Sequence, residues 1–435
     1  MCGIAGIIAY HPVAPDVKLA ELQRIRDHMA ARGPDGKGEW ISPDGRNGFG
    51  HRRLSIIDLS ERGAQPMARK NGKLVITFNG EIYNYRELRI GLEKKGYLFE
   101  SDSDTEVLLH LYDDQGAAML PQLRGMFSFA IWDADKQATL LARDPYGIKP
   151  LYYADDGWTL RFASQVKALL AGGNVSCAPE PAGAVGFYLL GSIPDPYTLY
   201  QDIRALPAGS YLWVTRTGAS APVHYFTLAD IWQQAENYSP TSTQELQEKV
   251  REAVFDSVKH HLIADVPVGA FLSAGLDSGA IVGLMSEMQK NISTLTLSFS
   301  EYQGRADDEA PLAAQVAALY GTQHAQHSIA NQEFINDLPA ILQAMDQPSI
   351  DGINSWFVSK ATRAAGLKVA ISGLGGDELF GGYPSFRDIP RWRRALWLPA
   401  KIPGLGRVAE TAMATFKPLF SSFNPKAASM LRYGG

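Results

Sequence analysis

A cysteine follows the initiator methionine directly, and that placement is chemically suggestive. Once the methionine is removed, Cys2 carries a thiol and a free α-amino group on one residue; its small side chain favours the removal. An α-amino group titrates at about 7.7–8.0 and a thiol at about 8.5, so the amine can act as local base for its own sulfur. The plain alternative is a buried or incidental cysteine. A second candidate is Phe271-Leu272-Ser273-Ala274-Gly275-Leu276-Asp277-Ser278, where an apolar run meets a helical pattern. Small residues such as Gly275 let a backbone close around phosphate, and a helix N-terminus offers free N–H groups to the anion. Ser273 and Ser278 add hydroxyl donors. Asp277 suits a Mg²⁺ bridging to phosphate rather than phosphate itself. A glycine-rich helix cap explains the same residues without a ligand.

Elements must hold these residues in place. Gly3–Ile8 and Lys73–Phe78 read as apolar strands, the second closed by Asn79-Gly80, a strong turn signal. Arg86–Lys95 and Thr105–Tyr112 read as helices, the latter behind a Ser103-Asp104 cap. Phe127–Trp132, Thr139–Ala142 and Leu151–Tyr153 alternate like strands. A Gly/Pro-rich break at 171–185 ends a first domain near 175, and 176–240 reads as connecting strands and linker. From about 241 the pattern changes. Helix Thr243–Leu262, the apolar run Val268–Leu272, helix Gly279–Lys290, strand Ser293–Phe299, helix Ala310–Tyr320 and strand Lys368–Ile371 follow in turn. This alternation predicts a parallel sheet covered on both sides, over a second domain 241–435.

Seven motifs occur in order through the first domain. They are Cys2-Gly3-Ile4-Ala5-Gly6, Arg32-Gly33-Pro34-Asp35, His51 to Asp58, Phe78 to Asn84, Ser103 to Glu106, Ala142 to Tyr152, and Phe162-Ala163-Ser164. Together they resemble the class II glutamine amidotransferase domain along its whole length. The resemblance implies an α+β, four-layered αββα fold with Cys2 as nucleophile. It also implies a glutamine site made by Arg53, Leu54, Ser55, Ile56, Ile57, Asn79, Gly80, Glu81 and Asp104. Arg53 would fork onto the glutamine carboxylate, Asp104 and Glu81 would hold its ammonium, and the Asn79 amide with the Gly80 N–H would hold the oxyanion. The Ser273–Ser278 motif resembles the pyrophosphate loop of ATP pyrophosphatases, with Ala274 where glycine is usual. Ser372 to Tyr383 looks like the asparagine synthetase motif Ser-Gly-Glu-Gly-x-Asp-Glu-Leu-Phe-Gly-Gly-Tyr.

The whole chain therefore resembles the glutamine-hydrolysing asparagine synthetase family. That implies a doubly wound α/β nucleotide-binding domain after the glutaminase. ATP would contact Leu272, Ser273, Gly275, Asp277, Ser278, Leu297, Ser372 and Gly373, with Mg²⁺ on Asp277 and Asp377. The implied reaction joins ammonia from glutamine to aspartate through an acyl-adenylate. Leu374 stands where the family has a glutamate, and leucine neither accepts a proton nor pairs with an ammonium ion. Asp346 and Asp351 are the nearby carboxylates. The departure keeps three readings open: another carboxylate acceptor such as a cell-surface sugar or a peptide, a glutaminase with an inactive synthetase half, and a non-catalytic regulatory or interaction protein.

The chain stops at Gly435, about fifty residues past Tyr383, where the family continues, and the family's later lysine has no placeable counterpart. Residues 384–435 hold nine Arg/Lys against Asp388 and Glu410, with Phe416, Phe420 and Phe423 among the aromatics. They read as helices lacking their usual cover, or as a surface for a membrane or an anionic partner. The rest is negative evidence. Net charge is 41 − 46 = −5, which argues against nucleic acid as a partner. Two cysteines, no signal segment and no spanning apolar run suggest the cytoplasm. Cys177 reads as neutral, His260-His261 lacks companions for zinc, the eight tryptophans read mostly as core, and a homodimer stays open.

Overall fold

The computed structural model describes residues 1–69, 71–238, 242–305 and 307–397, with Lys401, Gly404, Val408 and Thr411 beyond them. The aromatic tail at Phe416, Phe420 and Phe423 lies outside the described residues. Two compact units emerge: Met1–Ala274 with Val282–Ile371, and Gly275–Ile281 with the chain from Ser372.

The first unit opens with thirteen strands: β1 (Gly3–Ile8), β2 (Gly36–Ile41), β3 (Asn47–Arg53), β4 (Met67–Arg69), β5 (Leu74–Ile82), β6 (Gly125–Asp133), β7 (Ala138–Arg143), β8 (Tyr152–Asp155), β9 (Leu160–Ala163), β10 (Arg204–Ala205), β11 (Ser210–Thr215), β12 (Gly218–Ala219) and β13 (Val223–His224). They form two antiparallel sheets. One has the order β10-β8-β9-β1-β3-β2, the other β12-β11-β7-β6-β5-β4 with β13 beside β11.

Strand periodicity builds four layers from these two sheets. In β1, Ile4 and Ile8 join Phe49, Trp132 and Phe162 between the sheets. Ala5 and Ile7 point the other way, onto Leu22, Ile25 and Met29 of the helix Leu19–His28. In β6, Ala130 and Trp132 face inward, whereas Phe127, Phe129 and Ile131 meet Val107, Leu108 and Leu111 of the helix Asp104–Gln115. The result is the expected αββα stack, each large apolar side chain contributing about 1.5–3 kcal/mol by burial. The inner layer leaves no slack at Gly6, where a Cβ would collide with the Phe162 ring. Gly6→Ala is expected to lower stability by about 1–3 kcal/mol in urea melts.

Two expectations are corrected, the Asn79-Gly80 turn and the burial of the tryptophans. Asn79-Gly80 is not a turn. Both lie inside β5, Asn79 paired with Ser128 and Gly80 with Phe127. Glycine is required there because a Cβ would run into the Met126 carbonyl and come within 2.6 Å of the Phe78 ring. The stretch 176–240, read as connecting strands and linker, carries strands of both sheets. It starts with a helix, Pro181–Leu190, capped by Glu180, and then supplies β10 to one sheet and β11 to the other. The tryptophans are also less buried than expected: Trp132 is core, but Trp158, Trp232, Trp392 and Trp397 are exposed.

The first unit continues with a parallel sheet of β14 (Val268–Phe271), β15 (Ser293–Phe299), β16 (Gln323–Ile329) and β17 (Val369–Ile371), in the order β16-β15-β14-β17. Helix Ala310–Tyr320 packs on β15 and β16, and helix Gly352–Ala364 on β15. Ile329, Ile341, Phe357 and Leu297 make the core beneath the helices. Side chains bridge the sandwich and the parallel sheet within this unit: Lys368 Nζ donates to Asp35 Oδ2 at 2.7 Å, and Asp58 N to Asp265 Oδ2 at 2.8 Å.

Candidate active site

Cys2 lies just before β1. Leu54 N donates to Cys2 Sγ at 3.3 Å, the thiol leans on Leu54 O at 3.6 Å, and Arg32 Nε donates to Cys2 O at 3.1 Å. Arg53, Leu54, Ile56, Ile57, Gly80, Glu81 and Asp104 line the same pocket as Cys2. Ser55 does not; its N–H is spent on Asp35 Oδ2 at 2.9 Å. Asn79 lies behind the wall, 1% exposed, and its Nδ2 has no hydrogen-bond partner among the described residues.

Local structure aims each of these groups. Arg53 ends β3, and its guanidinium is held by the carbonyls of Ser60 (2.9 Å) and Asp58. Gly63 leaves the room this needs, since a Cβ there would strike Arg53 Nη2. Asp104 opens the helix Asp104–Gln115, whose Ser103 cap accepts from Thr105 N. Its Oδ2 accepts from Ile82 N at 3.0 Å. Burial pushes the Asp104 carboxyl up to about 7, the charge of Glu81 adding to the rise and the Ile82 N–H opposing it. Burial also pushes the Cys2 thiol up, opposed by the Leu54 backbone hydrogen bond. The chain-terminal amine at Met1, in the same pocket, is pulled down to about 6 by burial. Burial thus makes the Met1 amine give up its proton more readily than a free terminus and makes the thiol hold its proton more firmly. His51, although nearby in sequence, is kept neutral by burial, at about 3, and is tied through Nδ1 to Thr77 Oγ1 at 3.2 Å.

Gln65 and Lys149 also line the pocket, the first outside every motif and the second inside one but with no role read from it. Gln65 accepts from Phe78 N at 2.7 Å and donates to Thr105 Oγ1 at 3.2 Å, joining two walls. Lys149 is 5% exposed, its ammonium destabilised by burial and supported by Glu81 and Cys2. Its loop is organised by Asp144, which accepts the N–H groups of Phe127, Tyr146, Ile148 and Lys149 at 2.9–3.2 Å. A buried cation beside a thiol favours thiolate. Lys149→Met is expected to slow iodoacetamide labelling of Cys2 at pH 7 about tenfold.

The second group of residues divides between the units. In the first, Leu272 is buried and hydrogen-bonds Leu295 O at 2.9 Å, Ser273 follows it, and Leu297 lies in β15. In the second, Gly275, Asp277 and Ser278 lie beside Ser372 and Gly373. Ser278 Oγ donates to Gly275 O at 3.2 Å, and Leu374 N to Ser372 Oγ at 3.2 Å. A Cβ on Gly373 would stand 3.0 Å from Ser278 N. A Cβ on Gly376 would strike the Asp277 carboxylate, and one on Gly382 the Asp377 carboxylate. Glycine thus lets each carboxylate lie directly against the backbone, and two acids held this way are the oxygen donors a hard cation bridging to phosphate would use. No cluster of three His, Cys, Asp or Glu occurs among the described residues, so protein alone would not complete such a shell. Leu374 is almost fully exposed. Asp346 is unsuited to replace the missing glutamate: its two oxygens accept Val166 N and Lys167 N, both at 2.9 Å, capping the helix Val166–Ala171.

The antiparallel sandwich and the pocket beside Cys2 accord with a glutamine amidotransferase domain, and residues 1–226 match the family described as glutamine amidotransferase domain. Residues 249–433 match the family described as asparagine synthase. The chain is 39% identical over 393 residues to asparagine synthetase [glutamine-hydrolyzing] 1 of Bacillus subtilis, covering 89% of this chain and 60% of that one. It is 34% identical to a putative asparagine synthetase [glutamine-hydrolyzing] of Mycobacterium tuberculosis, covering 94% and 65%. It is 34% identical to putative asparagine synthetase [glutamine-hydrolyzing] 2 of Methanocaldococcus jannaschii, covering 92% and 81%. The chain belongs to the glutamine-hydrolysing asparagine synthetase family. It spans about 60–65% of the length of the first two relatives named. No helix among the described residues is long and apolar enough to cross a membrane.

Proposed function

We propose that this chain hydrolyses glutamine at Cys2 and uses the ammonia, with ATP, to convert aspartate to asparagine. The observation that carries the reading is one pocket holding Cys2, Arg53, Glu81 and Asp104 together. Arg53 takes the glutamine carboxylate, its direction preset by two loop carbonyls. Asp104 and Glu81 take the ammonium. That leaves the side-chain amide at Cys2 Sγ, whose proton passes to the terminal amine as sulfur attacks. Asn79 Nδ2 and Gly80 N–H stabilise the oxyanion. Ammonia leaves, and water cleaves the thioester to glutamate. ATP is the second substrate, activating the acceptor carboxylate with release of pyrophosphate. Asp277 and Asp377 would hold magnesium, which when bound would neutralise charge on the phosphates. Small loop residues around Ser278 and Gly373 let backbone N–H groups approach the nucleotide.

Leu374 favours a second reading, in which the acceptor is a different carboxylate. The test is glutamate and pyrophosphate measured in one tube with ATP, Mg²⁺, glutamine and aspartate. Equal amounts of pyrophosphate and asparagine are expected. Glutamate without pyrophosphate would reject aspartate and leave the glutaminase half standing, and an acceptor screen then follows.

A further inference from the structure

The loop from Leu54 to Asp58 supplies Leu54, Ile56 and Ile57 to the wall of the Cys2 pocket. Its backbone is held from the parallel-sheet part of the same unit. Asp265 N donates to Ile56 O at 2.9 Å, and Asp265 Oδ2 accepts from Asp58 N at 2.8 Å. One residue thus brackets two backbone groups of the loop. The near end of the loop is fixed separately, since Asp35 Oδ2 accepts both Ser55 N at 2.9 Å and Lys368 Nζ at 2.7 Å. Asp265 stands shortly before β14 and Lys368 directly before β17, and these strands are neighbours, Val268 pairing with Val369. Two adjoining strands of the parallel sheet therefore begin against one loop of the glutamine pocket.

The Asp265 bracket leads on to Arg53. Asp58 has a φ of 51°, in the left-handed region that residues other than glycine seldom adopt. In that conformation its carbonyl accepts from Arg53 Nη2, while the Ser60 carbonyl accepts from Nη1 at 2.9 Å. The Asp58 carboxylate is committed elsewhere, Oδ1 to Ser60 N and Oγ and Oδ2 to Asp102 N. Its N–H goes to Asp265, and fixing the N–H fixes one side of the rotation that aims the carbonyl. The turn that carries Asp265 is itself anchored on the sandwich. The His261 ring lies 4.5 Å from the Tyr83 ring, centroid to centroid, and Ile263 packs against the apolar cluster that includes Ile82 and Tyr85. Asp265 is exposed, so changing it leaves that core untouched.

We infer that Asp265 is a positioning residue for the α-carboxylate of glutamine, acting through the Asp58 backbone on Arg53. The inference rests on the glutamine site proposed above. A guanidinium recognises a carboxylate through two parallel N–H bonds, so its direction matters as much as its charge. With the Asp265 carboxylate gone, the Asp58 peptide is free to turn, its carbonyl leaves Arg53 Nη2, and the fork no longer meets both carboxylate oxygens. Asp265 lies in the stretch 249–433 that matches asparagine synthase, and Arg53 in the stretch 1–226 that matches the glutamine amidotransferase domain. One half of the chain thus sets substrate geometry in the other.

The test compares two reagents for Cys2 on the full chain. Diazo-oxo-norleucine carries the α-carboxylate and α-ammonium of glutamine, whereas iodoacetamide carries neither. Asp265→Ala is expected to raise the concentration of diazo-oxo-norleucine that half-saturates labelling about tenfold, and to leave the iodoacetamide rate within about twofold of wild type. Asp265→Asn keeps an oxygen for the Asp58 N–H and should stay within about twofold of wild type with both reagents. In glutamate production the change should fall on KM, about tenfold for Asp265→Ala, with kcat within about threefold. Labelling needs no turnover. A wild type that labels saturably without releasing glutamate therefore counts against the proposed glutaminase activity, while the labelling ratio still decides the role of Asp265. Unchanged half-saturation in Asp265→Ala overturns the inference. So does an equal loss with both reagents, the result if the whole loop shifts, or an Asp265→Asn variant as impaired as Asp265→Ala, the result if the charge and not the N–H bond matters.

Discussion

Asn79→Ala is expected to lower kcat for glutamine hydrolysis by about 10²–10³ while KM changes less than about threefold. The argument begins with strand alternation in β5. Val75 and Thr77 face the space between the sheets, Val75 in the apolar cluster and Thr77 against His51 and the Gly50 carbonyl. Asn79 and Glu81 continue that face toward the end where Glu81 meets Cys2 in one pocket. Asn79 is buried there with an amide N–H₂ that meets no acceptor among the described residues. An unpaired buried donor costs about 1–3 kcal/mol in the free protein. Such a group suits a charge that exists only during the reaction, because its interaction is stronger with an oxyanion than with the ground-state carbonyl. Loss of the amide then falls on kcat. Steady-state glutamate production and a urea melt together decide the matter. If kcat is unchanged and only stability moves, Asn79 is a strand residue and the oxyanion is held elsewhere.

Two readings of this residue come from the sequence, and the structure decides only the one about the turn. The motif around Asn79-Gly80 marked it as functional, while the same dipeptide, read as local chemistry, pointed to a turn. Turn propensity is a short-range signal, and in β5 it is overridden by nine consecutive pairings with β6 that no window of neighbours contains. The other misses have the same cause. Lys149 becomes a pocket residue only because Asp144 gathers four backbone N–H groups and folds its loop inward. Asp346 looked available as a carboxylate until its partners, 180 and 179 residues away at Val166 and Lys167, were placed. Strand β10, from Arg204, joins the sheet begun at Gly3, and β11, from Ser210, the sheet begun at Met67. By contrast, Ser103-Asp104 as a helix start and Ser293–Phe299 as a strand depend on adjacent residues, and both are found as expected. Local order was readable in the chain; long-range pairing was not.

Asp104→Asn combines two effects that rarely go together, a site loss and a gain in stability. Asp104 is an acid whose folded-state value is raised, to about 7, mainly by burial. Below about pH 4 the carboxyl is protonated in both states and the shift has no effect on folding. Between about pH 4 and 7 the unfolded chain ionises first, so stability falls as pH rises and then levels off above about 7. The upper limit of that loss is about 4 kcal/mol. Asparagine has the same shape, keeps an oxygen for the Ile82 N–H and has no charge to bury, so the variant should be more stable than the wild type at pH 8, by about 1–4 kcal/mol, and indistinguishable at pH 4. The same change removes the counter-charge for the glutamine ammonium, and KM should rise about 10²-fold, the price of leaving a buried ammonium short of one partner. Wild-type kcat/KM should climb as pH rises through about 7, and the variant should lose that limb. A glutamine analogue should raise the wild-type melting temperature at pH 8 and leave the variant's nearly fixed. If Asp104→Asn proves less stable at pH 8, the hydrogen bonds that the carboxylate accepts outweigh its desolvation, and its elevated pKa is not the signature of a ligand site.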